Sequence, residues 1–246
     1  MTKIQETPLL ETPVFTVVKK IFKETTFEPV GLNCKPWVMV IAVDDDIKNN
    51  PVTVFVEQTR WGLENKTIEF PCGTVEAEDF YTHLDYVQLT DEQFAALGFE
   101  TVPNPNGAIE RKYNPNLVDP TKWTPELFGL VYQDALKTAA VREFAEETGI
   151  NLSESDLVEL CEFNPNPAYF NNTMTIFYVK KSSLLESFNS KHDQQLDKDE
   201  DCRVFVGRLN TYLPSIKQHA MGIAALFFLD NADMKMEQMR SIPNII

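Results

Sequence analysis

Apolar residues interrupted by Thr16 and the Lys19-Lys20 pair make Phe15-Thr16-Val17-Val18-Lys19-Lys20-Ile21-Phe22 read as an early strand. Pro36 to Val43 and Val52 to Gln58 are β-rich runs on either side of Asp44 to Pro51, whose Asp, Asn and Pro residues predict a turn, so the pair reads as a hairpin. Leu157 to Phe163, Thr173 to Val179 and Cys202 to Gly207 are further predicted strands. Two segments carry helical spacing instead. In the first, Ala135, Ala139, Ala140, Val141 and Phe144 form an apolar stripe that ends at Gly149, a residue suited to a left-handed cap, with Ile150 resuming apolar contact. In the second, Thr211 to Asp230, the spacing sets Ile216, Ala220, Ile223, Ala224 and Phe227 on one side. The pattern is that of an α/β (α+β) protein with a mixed sheet and two principal helices, and it contains no internal repeat.

The stretch from about Glu78 to Gln133 differs, being rich in Pro, Asn and aromatic residues: Asn104-Pro105-Asn106-Gly107, Asn114-Pro115-Asn116, Pro120, Trp123, Pro125. So long a segment without structure is improbable inside a domain, so part of it is expected to fold, with Asp91 to Leu97 a short helix capped by Thr90. The organisation that follows is a β-rich segment at residues 1–30, a main domain at 31–232 carrying an insertion at about 78–133, and a tail at 233–246.

Composition narrows the partners. The 246 residues suit one large domain or one domain plus elaborations, and 22 basic against 37 acidic residues leave a net charge of −15. That charge disfavours a nucleic-acid backbone or an anionic membrane as partner, and an anionic small substrate would need a metal and local Arg to be held. Cys34, Cys72, Cys161 and Cys202 lack C-x-x-C spacing, and His83, His192 and His219 lack metal spacing, which argues against zinc and against a disulfide framework. With no signal peptide and no 18-residue apolar run, the expectation is a cytoplasmic protein.

The chemistry is concentrated in Arg142-Glu143-Phe144-Ala145-Glu146-Glu147-Thr148-Gly149-Ile150. At about 3.6 residues per turn, Glu143, Glu146 and Glu147 share one helix face at i, i+3 and i+4. Carboxylates that close repel one another unless a cation sits among them, and hard oxygen ligands point to magnesium or manganese. The competing reading is a solvated acidic face.

This run resembles the second half of the Nudix box, G-x5-E-x7-R-E-U-x-E-E-x-G-U, where U is an aliphatic or bulky apolar residue, and it matches every specified position. The first half looks like Glu69-Phe70-Pro71-Cys72-Gly73-Thr74-Val75-Glu76, far upstream, so about 55 residues stand inserted inside the box. Either Asp134 or Asp79 fills the box's first acid, and both registrations remain open. Phe55-Val56-Glu57-Gln58-Thr59-Arg60 and the Glu69–Glu76 run resemble the ADP-ribose pyrophosphatase-like branch of Nudix hydrolases, as do Asn164-Pro165-Asn166-Pro167 and Asp199-Glu200-Asp201-Cys202-Arg203-Val204. The resemblance implies a Nudix α/β/α sandwich, with N-terminal strands that pair subunits into a homodimer.

It also implies roles. Glu143 and Glu147 would be metal ligands, and Glu146 a third ligand or the orienter of an attacking water. The Cys72 or Gly73 carbonyl would complete the shell. Arg142 would hold a glutamate in place, Arg60 would grip the diphosphate of a nucleotide substrate, and Glu200 would serve as general base or mobile ligand. Glu69 and Glu76 would fix the loop and substrate by hydrogen bonds, with Glu76 also within the metals' reach. Tyr113, Trp123 and Phe128 of the insertion would cover a base or extend the dimer interface, if the insertion is a lid and not a surface elaboration. Many members of that branch carry a Glu after the prolines, where this chain reads Pro167-Ala168-Tyr169-Phe170-Asn171-Asn172, which weakens ADP-ribose relative to other nucleoside diphosphate derivatives. The expected activity is hydrolysis of such a derivative, ADP-ribose or a nucleoside diphosphate sugar, into two phosphomonoesters. The alternative is a non-catalytic nucleotide sensor or protein-binding module.

Overall fold

The computed structural model describes residues 2–12, 15–26, 28–60, 64–80, 89–103, 106, 109–183, 188, 194–196, 201–218, 220–229 and 232. The chain divides into two compact units, one made of Met1–Trp37, Thr74–Leu136 and Asn164–Thr173, the other of Val38–Gly73, Lys137–Phe163 and Met174–Ile246.

The second unit is built on a seven-stranded sheet. β4 (Trp37–Val43), β5 (Val52–Arg60), β6 (Asn65–Glu69), β7 (Cys72–Thr74), β10 (Val158–Phe163), β11 (Met174–Lys180) and β12 (Cys202–Arg208) pair in the order β10-β11-β4-β5-β12, with β6 on β5 and β7 on β4. Val38 to Val43 and Met174 to Val179 are buried at every position, the signature of strands covered on both faces. The predicted β4–β5 hairpin forms, with Val43 opposite Thr53. Its turn is closed by Asp44, whose N–H donates to the Val52 carbonyl at 3.1 Å and whose carboxylate accepts from the Val52 N–H at 2.7 Å. Phe55, Phe70, Phe205 and Tyr212 pack ring on ring at centroid distances of 5.1 to 5.6 Å.

The expected helix over Thr211 to Asp230 is instead two, α4 (Leu209–Ile216) and α5 (Ala220–Leu229). Its predicted face is also corrected. Ile223 and Phe227 are 53% and 72% exposed, while Gly222, Ala225 and Leu229 are buried. The cause is composition: α5 reads AMGIAALFFL, apolar all round, so spacing says nothing about which side faces inward.

In the first unit, β1 (Lys3–Glu11), β2 (Phe15–Phe22) and β3 (Val30–Cys34) form an antiparallel sheet. The inserted segment folds, as expected. α1 (Asp91–Ala96) starts on a capping box in which Thr90 and Gln93 exchange bonds, and β8 (Leu97–Pro103) pairs with β9 (Ile109–Val118). Trp123 anchors the segment. Its ring lies 5.0 Å from that of Phe80, its indole N–H donates to the Ala96 carbonyl at 3.0 Å, and Phe128, in the short helix α2 (Pro125–Phe128), packs tilted against Phe80 at 4.6 Å. Among the described residues no helix is long and apolar enough to cross a membrane.

Candidate active site

The acidic helix is α3 (Leu130–Thr148). Ala135, Leu136, Ala139, Ala140 and Phe144 are its buried stripe, so the carboxylates one turn apart are held on the remaining face. Gly149 ends it at φ 71°, donating to the Ala145 carbonyl at 2.8 Å, and Thr148 ties the last turn through its hydroxyl to the Phe144 carbonyl.

Arg142 stands between two of the carboxylates. Its Nη1 donates to Glu143 Oε1 at 3.0 Å and to Glu146 Oε2 at 3.1 Å, so one guanidinium supplies the cation that this like-charged pair requires. Glu147 points elsewhere: it is 3% exposed and accepts the Cys72 backbone N–H at 2.9 Å. The adjoining Gly73 lies so close that a Cβ there would meet the Glu143 carboxyl carbon at 2.0 Å. The loop backbone therefore rests on the carboxylate face because residue 73 has no side chain.

Arg60 and Glu69 form a fork. Nε donates to Oε1 at 2.8 Å and Nη2 to Oε2 at 2.7 Å, and Thr67 also hydrogen-bonds the buried Glu69 carboxylate. Glu69 raises the already high pKa of Arg60 against the opposing effect of burial. Arg60 Nη2 also lies 3.7 Å from the Cys72 sulfur. Burial, and then the Glu147 carboxylate, push the Cys72 thiol well above its ordinary value, which fits a packing role and not a nucleophile.

Glu76 is in the first unit, where it pairs with Lys35, accepts the Thr74 hydroxyl at 2.9 Å, and donates its N–H to the buried Asp79 at 2.7 Å. Asp79 thus caps a short turn, and Asp134 is exposed on the second turn of α3. Asn171 and Asn172, read as marks of substrate choice, are committed to β3: the Cys34 N–H donates to Asn171 Oδ1 at 3.0 Å and Asn172 Nδ2 donates to the Lys35 carbonyl at 2.9 Å. Glu200, Asp199, His83, His192 and His219 lie outside the described residues. Their neighbour Asp201 accepts the Thr59 hydroxyl at 2.9 Å.

Two residues had no signal in the sequence. Gln194 Nε2 donates to the Glu147 carbonyl at 2.5 Å and to the Cys202 carbonyl at 3.3 Å, and the Gln195 N–H donates to the Glu146 carbonyl at 2.9 Å. They satisfy carbonyls that the C-terminal end of a helix leaves open, a need that sequence spacing does not express.

As they stand, no three His, Cys, Asp or Glu side chains among the described residues are grouped to hold a metal ion. The oxygen-only donors, with two carboxylates sharing one cation and a loop backbone against Glu143, fit a hard divalent ion that would share or replace the place of Arg142.

No family model and no curated protein matches the chain. Among solved structures, one described as an ADP compounds hydrolase matches with a TM-score of 0.50 at 16% identity, over 94% of this chain and 92% of that one. The likeness shows the fold: this is the mixed-sheet α/β fold of that hydrolase, shared across nearly the whole of both chains.

Proposed function

We propose that the chain is a divalent-metal-dependent pyrophosphohydrolase that cleaves a nucleoside diphosphate linked to a second moiety, ADP-ribose or a nucleoside diphosphate sugar, into two phosphomonoesters. The observation that carries this reading is the joining of the carboxylate helix to the Cys72-Gly73 loop, through Glu147 on the Cys72 amide and Gly73 against Glu143. A solvated acidic face has no reason to bury one of its glutamates on a loop amide, nor to demand a glycine opposite another.

Glu143, Glu146 and Glu147, with the Cys72 or Gly73 carbonyl, would hold magnesium or manganese, which would supply the positive charge that attack on a diphosphate demands. Arg142 bridges the Glu143 and Glu146 carboxylates and so fixes their positions. Arg60 is held by Glu69 in one orientation, so its guanidinium is presented to a diphosphate without the entropy cost of ordering a long side chain. Glu200 takes the proton from the attacking water in this reading.

The test is turnover of ADP-ribose and of nucleoside diphosphate sugars with magnesium, following phosphomonoester products. The expected result is hydrolysis that Glu143→Gln and Glu147→Gln each reduce by orders of magnitude. Binding of the same nucleotides without any product would favour the sensor instead.

A further inference from the structure

Gln58 stands two residues before Arg60 on β5, so the two side chains leave the strand on the same face. Pairing is regular there. Cys202 of β12 and Thr67 of β6 lie opposite Gln58, and Asn65 lies opposite Arg60, with no shift of register along either ladder. On that face Arg60 reaches Glu69 and the Cys72 sulfur, and the Cys72 N–H reaches Glu147. Gln58 therefore belongs to the face that carries the candidate site, and all of these residues lie within one compact unit.

The donors around it have their acceptors. Arg60 forks onto Glu69, and the Thr67 hydroxyl serves the same carboxylate and, at 3.4 Å, the Gln58 carbonyl. The Gln58 amide differs: among the described residues its Nε2 is buried and has no hydrogen-bond partner. A buried donor left unmet is costly, whereas an apolar side chain of the same length would fill the space without that cost. Stability alone gives no reason for a glutamine here. The residue as a whole is only half-buried, and the last torsion of a glutamine is a soft one, so Nε2 can turn toward a ligand without movement of the strand.

The acceptor that suits this donor is an anionic oxygen. Arg60 and Glu69 cancel each other's charge, and Glu147 nearby is a further carboxylate. A neutral amide adds a hydrogen bond there without needing a counter-charge of its own, and that bond is strongest to an ionised acceptor. We propose that Gln58 is a substrate-binding residue whose Nε2 donates to a diphosphate oxygen of the nucleotide, beside Arg60. The inference rests on the hydrolase reading for the identity of the ligand and adds a donor to its substrate site.

The experiment compares wild type with Gln58→Met, which keeps the length and removes the donor, and Gln58→Glu, which keeps the shape and places a carboxylate there. Calorimetry follows binding of α,β-methylene-ADP with magnesium, steady-state kinetics follow ADP-ribose and GDP-sugars, and thermal denaturation follows the free proteins. Gln58→Met should weaken the methylene-ADP complex about 10–100-fold and raise the Michaelis constant in step, while melting no lower than wild type. Gln58→Glu should weaken binding further. A fall of more than about 4 °C in the melting temperature of Gln58→Met would make the amide a structural group and overturn the proposal. Unchanged affinity and Michaelis constant in Gln58→Met, with wild type hydrolysing these nucleotides, would overturn it and leave the hydrolase reading standing. Wild-type protein that neither hydrolyses them nor binds methylene-ADP would overturn both.

Discussion

Gly73 and Glu143 are in such close approach that the smallest possible side chain at residue 73 would coincide with the Glu143 carboxylate, 2.0 Å from Cδ. What it would meet is the end of a flexible side chain, so Gly73→Ala should displace the carboxylate and leave the fold intact. Misplacing a reacting group by about 1 Å costs on the order of a hundredfold in rate. The expected outcome is a loss of that size in turnover, with a melting temperature within a few degrees of wild type. Unchanged turnover would show that the position of Glu143 does not matter.

Glu147 makes the opposite kind of prediction, because it is buried and its partner is a backbone amide. Glu147→Ala strands the Cys72 N–H and should destabilise the protein by about 1–3 kcal/mol. Glu147→Gln keeps an acceptor oxygen, so it should lose much less stability while losing as much activity. Urea denaturation of the two variants separates the anchoring role from the catalytic one, and equal stability losses would contradict it.

The sequence carried these residues well because chemistry and spacing are local. Helix periodicity from Ala135 to Phe144, the Gly149 cap and the Thr90 cap are each encoded within one or two turns, and all formed. So did the strands whose β-rich runs have clear turn neighbours, from Phe15–Phe22 to Cys202–Arg208. What stayed illegible depended on partners distant in the chain. β9 contains Asn114-Pro115-Asn116 and reads as loop, yet it pairs with β8 by spreading those residues through a register shift between Leu97 and Phe99. The use of Asn171 and Asn172 to hold β3, 137 residues away, likewise has no local signature.

A pH dependence follows from Asp46, which meets Lys180 Nζ at 2.5 Å beside the β4–β5 turn. Its hydrogen bond to Lys180 holds the carboxyl below its ordinary value of 3.8 in the folded protein. A lowered folded pKa contributes stability that is present above the unfolded value and is lost as pH falls through the folded one. The coupling between Asp46→Asn and Lys180→Met, measured by a double-mutant cycle, should therefore be favourable at pH 7 and vanish once the pH is well below 3.8. Coupling that persisted at pH 2 would show that the pair is not electrostatic.

β1 is an edge of its three-stranded sheet, and Leu9 and Leu10 on it are 54% and 57% exposed. Long edges with exposed apolar residues invite pairing with another chain. A homodimer through the N-terminal strands is the expected state, with a mass by light scattering near twice 28.1 kDa and dissociation on Leu9→Lys/Leu10→Lys. A mass of one chain at all concentrations would refute it.

The inserted segment gives the last prediction, since Trp123 does two separable jobs there. Its ring fills the space beside Phe80, and its indole N–H answers the Ala96 carbonyl at the end of α1. Trp123→Phe retains most of the ring packing and removes one of that carbonyl's two donors, the other being the Asp119 N–H at 3.0 Å, so it should cost only about 0.5–1.5 kcal/mol. Trp123→Ala also opens a cavity and should cost about 3–5 kcal/mol. If the insertion shapes the substrate pocket, as a lid would, the Ala variant should raise the Michaelis constant for ADP-ribose and change the preference among nucleotides, leaving the magnesium dependence as it was. Steady-state kinetics on ADP-ribose and on GDP-sugars, run below the melting temperature of the variant, decide the matter. Unchanged constants in a variant that has lost the expected stability would make the insertion a structural elaboration with no part in substrate choice.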